Sequence, residues 1–217
     1  MNLELARFNM IEQQIRPWNV LDPAVLSLLA VVRREDFVPS AYRALAFVDT
    51  EVPLPEGQCM LAPKVEARLL QEAGVQRHER VLEVGAGSGF MAALLAHRAR
   101  SVLSVEVHPA LATLAAGNLQ RAGIANCKVR VYDGARGLPA EAPFDVIMLS
   151  GSVSAVPQTL LDQLAPEGRL IAIVGDEPVM RAVRVQRLAA ASFETRELFD
   201  TVAQRLRGFD EPSRFRF

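Results

Sequence analysis

Cysteine is nearly absent from this sequence: of 217 residues only Cys59 and Cys127 carry a thiol, in distant segments with no His or Cys at ligand spacing. That scarcity argues against a disulfide framework and against a structural zinc site, and makes a reducing cytoplasm the expected compartment. Long apolar runs are missing too. The charge-free stretch from Ala24 to Val32 falls far short of the roughly 20 apolar residues a membrane helix needs. Near the N-terminus, Glu4 and Glu12 stand among Arg7 and Arg16, unlike the basic and then apolar order of an export signal. Neither sign of charge dominates, since 24 Lys and Arg face 25 Asp and Glu for a net charge of -1. Without a global field, neither nucleic acid nor a membrane surface is an expected partner. The three histidines, His78, His97 and His108, form no ligand pair; they are expected at the surface, and no metal is expected.

What the sequence does have is core. Half of its residues are apolar and 23% are charged, the balance of a packed chain rather than a disordered one. From residue 81 onward, short β-branched runs at 81–84, 101–105, 128–132, 145–149 and 170–174 alternate with amphipathic stretches, the rhythm of βα units around a parallel sheet. These runs are mostly apolar on both faces, as buried strands should be. Helices are expected at 90–98, at 109–122 with Pro109 at its start and Gly123 after its end, and at 157–164, after which Pro166-Glu167-Gly168 turns the chain into the fifth strand. Beyond Gly175 the period changes, and 179–188 with 197–207 read as an antiparallel hairpin at the sheet edge. Upstream, 3–17 and 23–34 have helical periodicity and Val52-Pro53-Leu54-Pro55 reads as an extended linker. Pro63 opens a further helix that turns Val65, Leu69 and Leu70 inward and ends at Gly74. The expected division is a helical lead-in with a loop over 1–62 and an α/β core over 63–217, in one compact domain.

The most informative segment is Val81-Leu82-Glu83-Val84-Gly85-Ala86-Gly87-Ser88-Gly89-Phe90, a strand, a glycine-rich turn and a helix start. Its register is G-x-G-x-G, not the G-x-G-x-x-G of a dinucleotide loop, which makes NAD the weaker reading. The next strand ends in Val105-Glu106-Val107 and the third in Val131-Tyr132-Asp133-Gly134. An acceptor-only carboxylate at the first of these ends can hold a ribose diol, and Asp133 can accept from an adenine amine while Gly134 lets the ring approach. Each acid alone would more often be a solvated loop charge. A glycine loop and two acids on three consecutive strand ends point together to S-adenosylmethionine, which has no pyrophosphate for the helix N-terminus to bind. Glu83 either supplies negative charge near the methionine ammonium or accepts from backbone N–H groups of the loop. Ser150-Gly151-Ser152 follows the fourth strand at the crevice edge, as a polar loop or as a source of acceptor contacts.

With these motifs placed, the chain resembles the protein-L-isoaspartate (D-aspartate) O-methyltransferase family over most of its length. Arg33-Arg34-Glu35-Asp36-Phe37-Val38-Pro39 is similar to that family's R-x-x-F-V-P signature, and Gly57-Gln58-Cys59-Met60-Leu61-Ala62-Pro63 occupies its G-Q-T-I-S-x-P acceptor loop. Glu141-Ala142-Pro143-Phe144-Asp145 and Leu161-Asp162-Gln163-Leu164-Ala165-Pro166-Glu167-Gly168-Arg169-Leu170 match further stretches. The resemblance implies a class I methyltransferase (Rossmann-like) α/β fold, with a seven-stranded, mostly parallel sheet, one antiparallel strand, helices on both faces and a helical N-terminal extension. It implies S-adenosyl-L-methionine as cofactor, with Glu83, Gly85, Gly87, Gly89, Glu106, Val107, Asp133 and Gly134 in its site. It implies methyl transfer to the side-chain carboxylate of an isoaspartyl residue in a peptide or protein, the first step of protein repair. Such a carboxylate is nucleophilic at neutral pH, so alignment and water exclusion suffice without a general base.

The acceptor loop departs from the family pattern, because T-I-S reads Cys59-Met60-Leu61 and Leu61 offers no hydroxyl. Cys59 is expected to act as a small apolar residue rather than a nucleophile, since no His or Lys nearby in sequence would activate a thiolate. Lys64 is expected to lie solvated in the first turn of its helix, with attraction of an anionic substrate as the alternative. Two further readings stay open: a divergent member with a different acceptor, and a cofactor-binding protein without isoaspartyl transfer.

Overall fold

The computed structural model of the chain describes residues 2–189 and 191–210. The tail Arg214-Phe215-Arg216-Phe217, whose covering of the site the sequence leaves open, lies outside the described residues. Helix α1 (Leu3–Met10) opens on an Asn2 cap that accepts from the Leu5 N–H. The expected single helix over 3–17 is broken into changing pitch, widening to a π-turn over Ile11–Ile15 and tightening to a 3₁₀ turn over Arg16–Trp18, where Pro17 cannot donate. Helix α2 (Pro23–Val31) starts at an Asp22 cap and stops before a separate 3₁₀ turn at Arg34–Asp36, short of the expected residue 34. The expected linker is half of a small hairpin, with β1 (Val52–Pro53) antiparallel to β2 (Cys59–Met60). Helix α3 (Pro63–Ala73) closes at Gly74, whose φ of 55° forms the left-handed cap the sequence called for.

The core then runs β3 (Arg80–Val84), α4 (Phe90–Arg98), β4 (Ser101–Glu106), α5 (Pro109–Arg121), β5 (Cys127–Val131), β6 (Phe144–Val153), α6 (Gln158–Leu161), β7 (Leu164–Asp176), β8 (Val179–Ala189) and β9 (Ser192–Asp200). The sheet order is β5-β4-β3-β6-β7-β8-β9, and β8 alone runs against the others. This is the seven-stranded, mostly parallel class I methyltransferase sheet. Its order reverses between β3 and β4 on one side and β6 on the other, so the carboxyl ends of those three strands flank a crevice.

Three local expectations are corrected. Helix α6 spans four residues instead of 157–164, because β7 already pairs at Leu164; Pro166-Glu167-Gly168 lies in a bulge between the Phe144–Leu164 and Val146–Arg169 pairs, with Glu167 at φ 61°. The last hairpin strand is Ser192–Asp200 rather than 197–207, and the residues after it leave the sheet edge to cross the crevice. Strand β5 is not buried on both faces: as the sheet's edge strand it leaves Val131 56% exposed.

One apolar cluster joins α2, α3 and α4 to the sheet and takes in Met10, Ile15, Phe37 and Val38 of the lead-in, while a second, with Leu138, Leu160 and Leu161, covers the other face. Arg169 ties the layers together. Its guanidinium, buried on β7, pairs with Glu79 at 2.6 Å and donates to the carbonyls of Ala73 and Gly74.

Candidate active site

The glycine loop is held from the neighbouring strand. Gly85 and Ala86 both donate to the Val105 carbonyl, at 2.9 and 3.3 Å, and the Gly87 N–H donates to Glu106 Oε2 at 3.0 Å. Glu106 Oε1 accepts from the His108 N–H at 3.0 Å, so the carboxylate ties the loop to the start of α5 while each oxygen keeps a free lone pair. Its side chain is almost fully buried at the floor of the crevice. The two sequence motifs are thus one hydrogen-bonded unit.

Gly85, Gly87, Glu106, Val107 and Gly134 line this crevice together. A Cβ at Gly134 would lie 2.5 Å from Val84 Cγ1 and 2.8 Å from Val105 Cγ2, so the glycine backbone lies flush on the two valines. Of the other expected residues Glu83 lines a neighbouring recess, and two line neither. Gly89 faces α5, where a Cβ would come within 3.1 Å of the Ala115 backbone. Asp133 is exposed and caps the following 3₁₀ turn through the Ala135 N–H.

Beside the crevice is a smaller recess walled by both loops, with Cys59, Met60 and Leu61 on one side and Glu83, Gly85 and Gly87 on the other. Glu83 is completely buried. Of its two expected roles, that of acceptor for loop N–H groups falls to Glu106 instead; Glu83 accepts from Ser104 Oγ at 2.5 Å and Ser150 Oγ at 2.9 Å. Burial pushes its carboxyl up to about 8, against those two hydroxyls and with help from Glu106 and Glu66. Glu66, on α3, lines the same recess, and burial raises it to about 7 against the pull of Arg34. Cys59 is driven up to about 12 by burial and by Glu51, which leaves a thiol rather than a thiolate.

Several residues around the site were misread or missed. Ser150 faces Glu83, but Ser152 is buried and donates to the Ala203 carbonyl. Lys64 is not free in solvent: it pairs with Asp49 at 2.6 Å and sits 4.2 Å from the Trp18 ring centroid. His78 and His97 are exposed, whereas His108 is half-buried and lines the crevice. Leu206 and Arg207 also line it. The segment carrying them is fixed to β6 by the exchange of Ser152 N–H to Gln204 O and Leu206 N–H to Ser152 O, both 2.9 Å, and reaches the acceptor loop through Gln204 Nε2 on Gly57 O at 2.7 Å.

The family model for protein-L-isoaspartate(D-aspartate) O-methyltransferase (PCMT) matches residues 6–203. The chain belongs to this family. Among its relatives, the protein-L-isoaspartate O-methyltransferase of Koribacter versatilis is 39% identical over 196 residues, covering 90% of this chain and 88% of that protein. That of Methanoculleus marisnigri is 40% identical over 179 residues, covering 82% and 81%. In three dimensions the chain is similar to a beta-aspartate methyltransferase (PCMT) from Plasmodium falciparum in complex with S-adenosyl-L-homocysteine, at TM-score 0.79 and 21% identity, over 95% of this chain and 99% of that one. That likeness concerns the fold. Among the described residues no helix is long and apolar enough to cross a membrane, and no group of three or more His, Cys, Asp or Glu could hold a metal.

Proposed function

We propose that this member of the isoaspartyl methyltransferase family transfers a methyl group from S-adenosylmethionine to the side-chain carboxylate of isoaspartyl residues in peptides or proteins. The observation that carries the reading is the shared recess: the family-specific loop Cys59-Met60-Leu61 and the glycine loop wall one space, with Glu83 at its base. An acceptor carboxylate and a methyl donor held on those two loops would be brought face to face.

The residues present fit the cofactor. Glu106 keeps lone pairs for a ribose diol and the flush Gly134 backbone leaves room for a ring, whereas Asp133, which does not line the crevice and accepts from the Ala135 N–H, has only its remaining lone pairs for an exocyclic amine. Ionised Glu83 would meet the methionine ammonium, with Ser104 and Ser150 orienting its two oxygens. S-adenosylmethionine, when bound, supplies a methyl group made electrophilic by its sulfonium. The protein's share is alignment and dryness: Leu54, Met60, Leu61 and Phe90 make an apolar wall that keeps water from the acceptor carboxylate. No proton need move on the acceptor, because the attacking carboxylate is already ionised at neutral pH.

This activity would serve protein repair, and two unpaired cysteines suit a reducing cytoplasm. Incorporation of labelled methyl from S-adenosylmethionine into an isoaspartyl peptide, with its normal aspartyl counterpart as control, tests the reading. Labelling of the isoaspartyl peptide alone is expected. Labelling of neither, with S-adenosylhomocysteine bound, would overturn the acceptor assignment.

A further inference from the structure

Arg34 is the most deeply buried arginine among the described residues, 1% exposed, and it belongs to the lead-in rather than to the sheet. Its Nη2 donates to the Leu61 carbonyl at 2.6 Å, its Nε to Glu66 Oε2 at 3.3 Å, and its guanidinium carbon lies 5.5 Å from the Phe90 ring centroid. One side chain therefore touches the acceptor loop, the helix that follows that loop, and the first residue of the helix that follows the glycine loop. The arrangement is costly. Burying a guanidinium and a carboxylate gives up hydration that a pair 3.2 Å apart recovers only in part, and Arg34 Nη1 has no partner among the described residues. A buried ion pair is a poor source of stability; what this one delivers is a fixed position for the Leu61 carbonyl. Because the peptide unit is planar and trans, fixing that carbonyl also fixes the direction of the Ala62 N–H. With no hydroxyl at Leu61, the loop's backbone is what remains to present to an acceptor.

We infer that Arg34 is a positioning residue for methyl transfer, clamping the acceptor loop through the Leu61 carbonyl, with Glu66 and Phe90 holding the guanidinium in place. The inference rests on the methyl-transfer reading above, so its test has one readout that needs activity and one that does not. Cys59 lies on the clamped loop and Cys127 lies on β5, the edge strand, so their alkylation by N-ethylmaleimide, quantified by mass spectrometry, compares loop opening with general loosening. In Arg34→Met, kcat toward isoaspartyl peptide should fall ten-fold or more while the Kd for S-adenosylhomocysteine changes less than three-fold. Cys59 should be alkylated at least ten-fold faster, with Cys127 unchanged. Arg34→Lys, which keeps one cationic donor, should restore part of both effects. Should Arg34→Met fail to fold, Glu66→Gln, compared at saturating cofactor because Glu66 also lines the recess, should show the fall in kcat and the faster Cys59 alkylation in milder form, since it removes the charge that orients the guanidinium and keeps the volume. Wild-type kcat and wild-type Cys59 labelling in a folded variant would overturn the clamp; so would Cys59 and Cys127 labelling rising in parallel. If the wild-type chain methylates no isoaspartyl peptide, the acceptor assignment fails, and Cys59 labelling still decides the clamp.

Discussion

The Gly87 N–H donates to Glu106 Oε2 at 3.0 Å, so the glycine loop is shaped by the carboxylate assigned to the ribose. Removing that carboxylate should both free the loop and delete the ligand contact. Glu106→Ala is expected to weaken S-adenosylhomocysteine about ten- to a hundred-fold, since each hydrogen bond to an ionised acceptor contributes about 1.5 to 3 kcal/mol. Glu106→Gln retains an acceptor oxygen and should fall between. Calorimetric titration of the folded variants checks this; unchanged affinity in Glu106→Ala would remove the ribose assignment.

Glu83 leads to a prediction in pH. Its folded carboxyl is raised to about 8 by burial, so below that value it holds a proton that an unfolded chain gives up near 4.5. The folded state binds more protons across this window, and the stability contribution of Glu83 therefore falls as pH rises from about 4.5 to about 8. Glu83→Gln should flatten that fall and gain on wild type at the alkaline end of thermal melts. Ligand binding has the opposite slope: an ammonium beside Glu83 favours its ionised form, so affinity for S-adenosylhomocysteine should rise with pH up to about 8, with release of a proton. Glu66, raised to about 7 in the same recess and opposed by Arg34, adds its own component, which Glu66→Gln separates. A flat affinity profile in the wild-type chain would mean that Glu83 does not face the ammonium.

How much of this was legible follows from how local each signal is. That Gly85, Gly87 and Glu106 meet in one crevice could be read because each lies at or just after a strand end, and the parallel sheet brings the strand ends together. Glu66 could not: on α3 the inward set read as Val65, Leu69 and Leu70, yet the helix is covered on two sides and Glu66 is buried as well. Leu206 and Arg207 were hidden for a different reason. Their alternating pattern suits a strand, but β9 ends at Asp200, and what fixes the following segment is its contact with Ser152, distant in sequence. The exposure of β5 likewise depends on its edge position, which an apolar run does not disclose.

Gly134 offers a steric test of the crevice floor. An added Cβ would meet Val84 Cγ1 at 2.5 Å and Val105 Cγ2 at 2.8 Å, in strands too well paired to move far. Gly134→Ala should destabilise the fold by about 1 to 3 kcal/mol, the usual range for overpacking, and lift the backbone into the ligand's space. A lower thermal midpoint together with weaker S-adenosylhomocysteine binding is expected; wild-type values for both would show that the floor gives way.

The last prediction concerns the residue at which the acceptor loop departs from its family. Leu61 is 6% exposed and belongs to the main apolar cluster while also lining the recess, so its side chain is part of the wall as well as part of the loop. Leu61→Ser therefore acts in two ways. Losing a buried isobutyl group should cost about 2 to 5 kcal/mol of stability, as large-to-small core changes do. A hydroxyl that reaches the acceptor carboxylate would contribute a charge-assisted hydrogen bond of about 1.5 kcal/mol in the transition state, a gain of roughly ten-fold in kcat/KM. Arg34 on the Leu61 carbonyl holds the backbone at this position independently of the side chain, which is why the loop should survive the change. Melts and steady-state kinetics on isoaspartyl peptide separate the two effects: a lower midpoint with faster transfer is expected, at unchanged S-adenosylhomocysteine affinity because Glu106 and Gly134, the residues assigned to the adenosine, line the crevice and Leu61 does not. A lower midpoint with no gain in rate would mean that the acceptor is already oriented without the hydroxyl, by the clamped backbone of the loop.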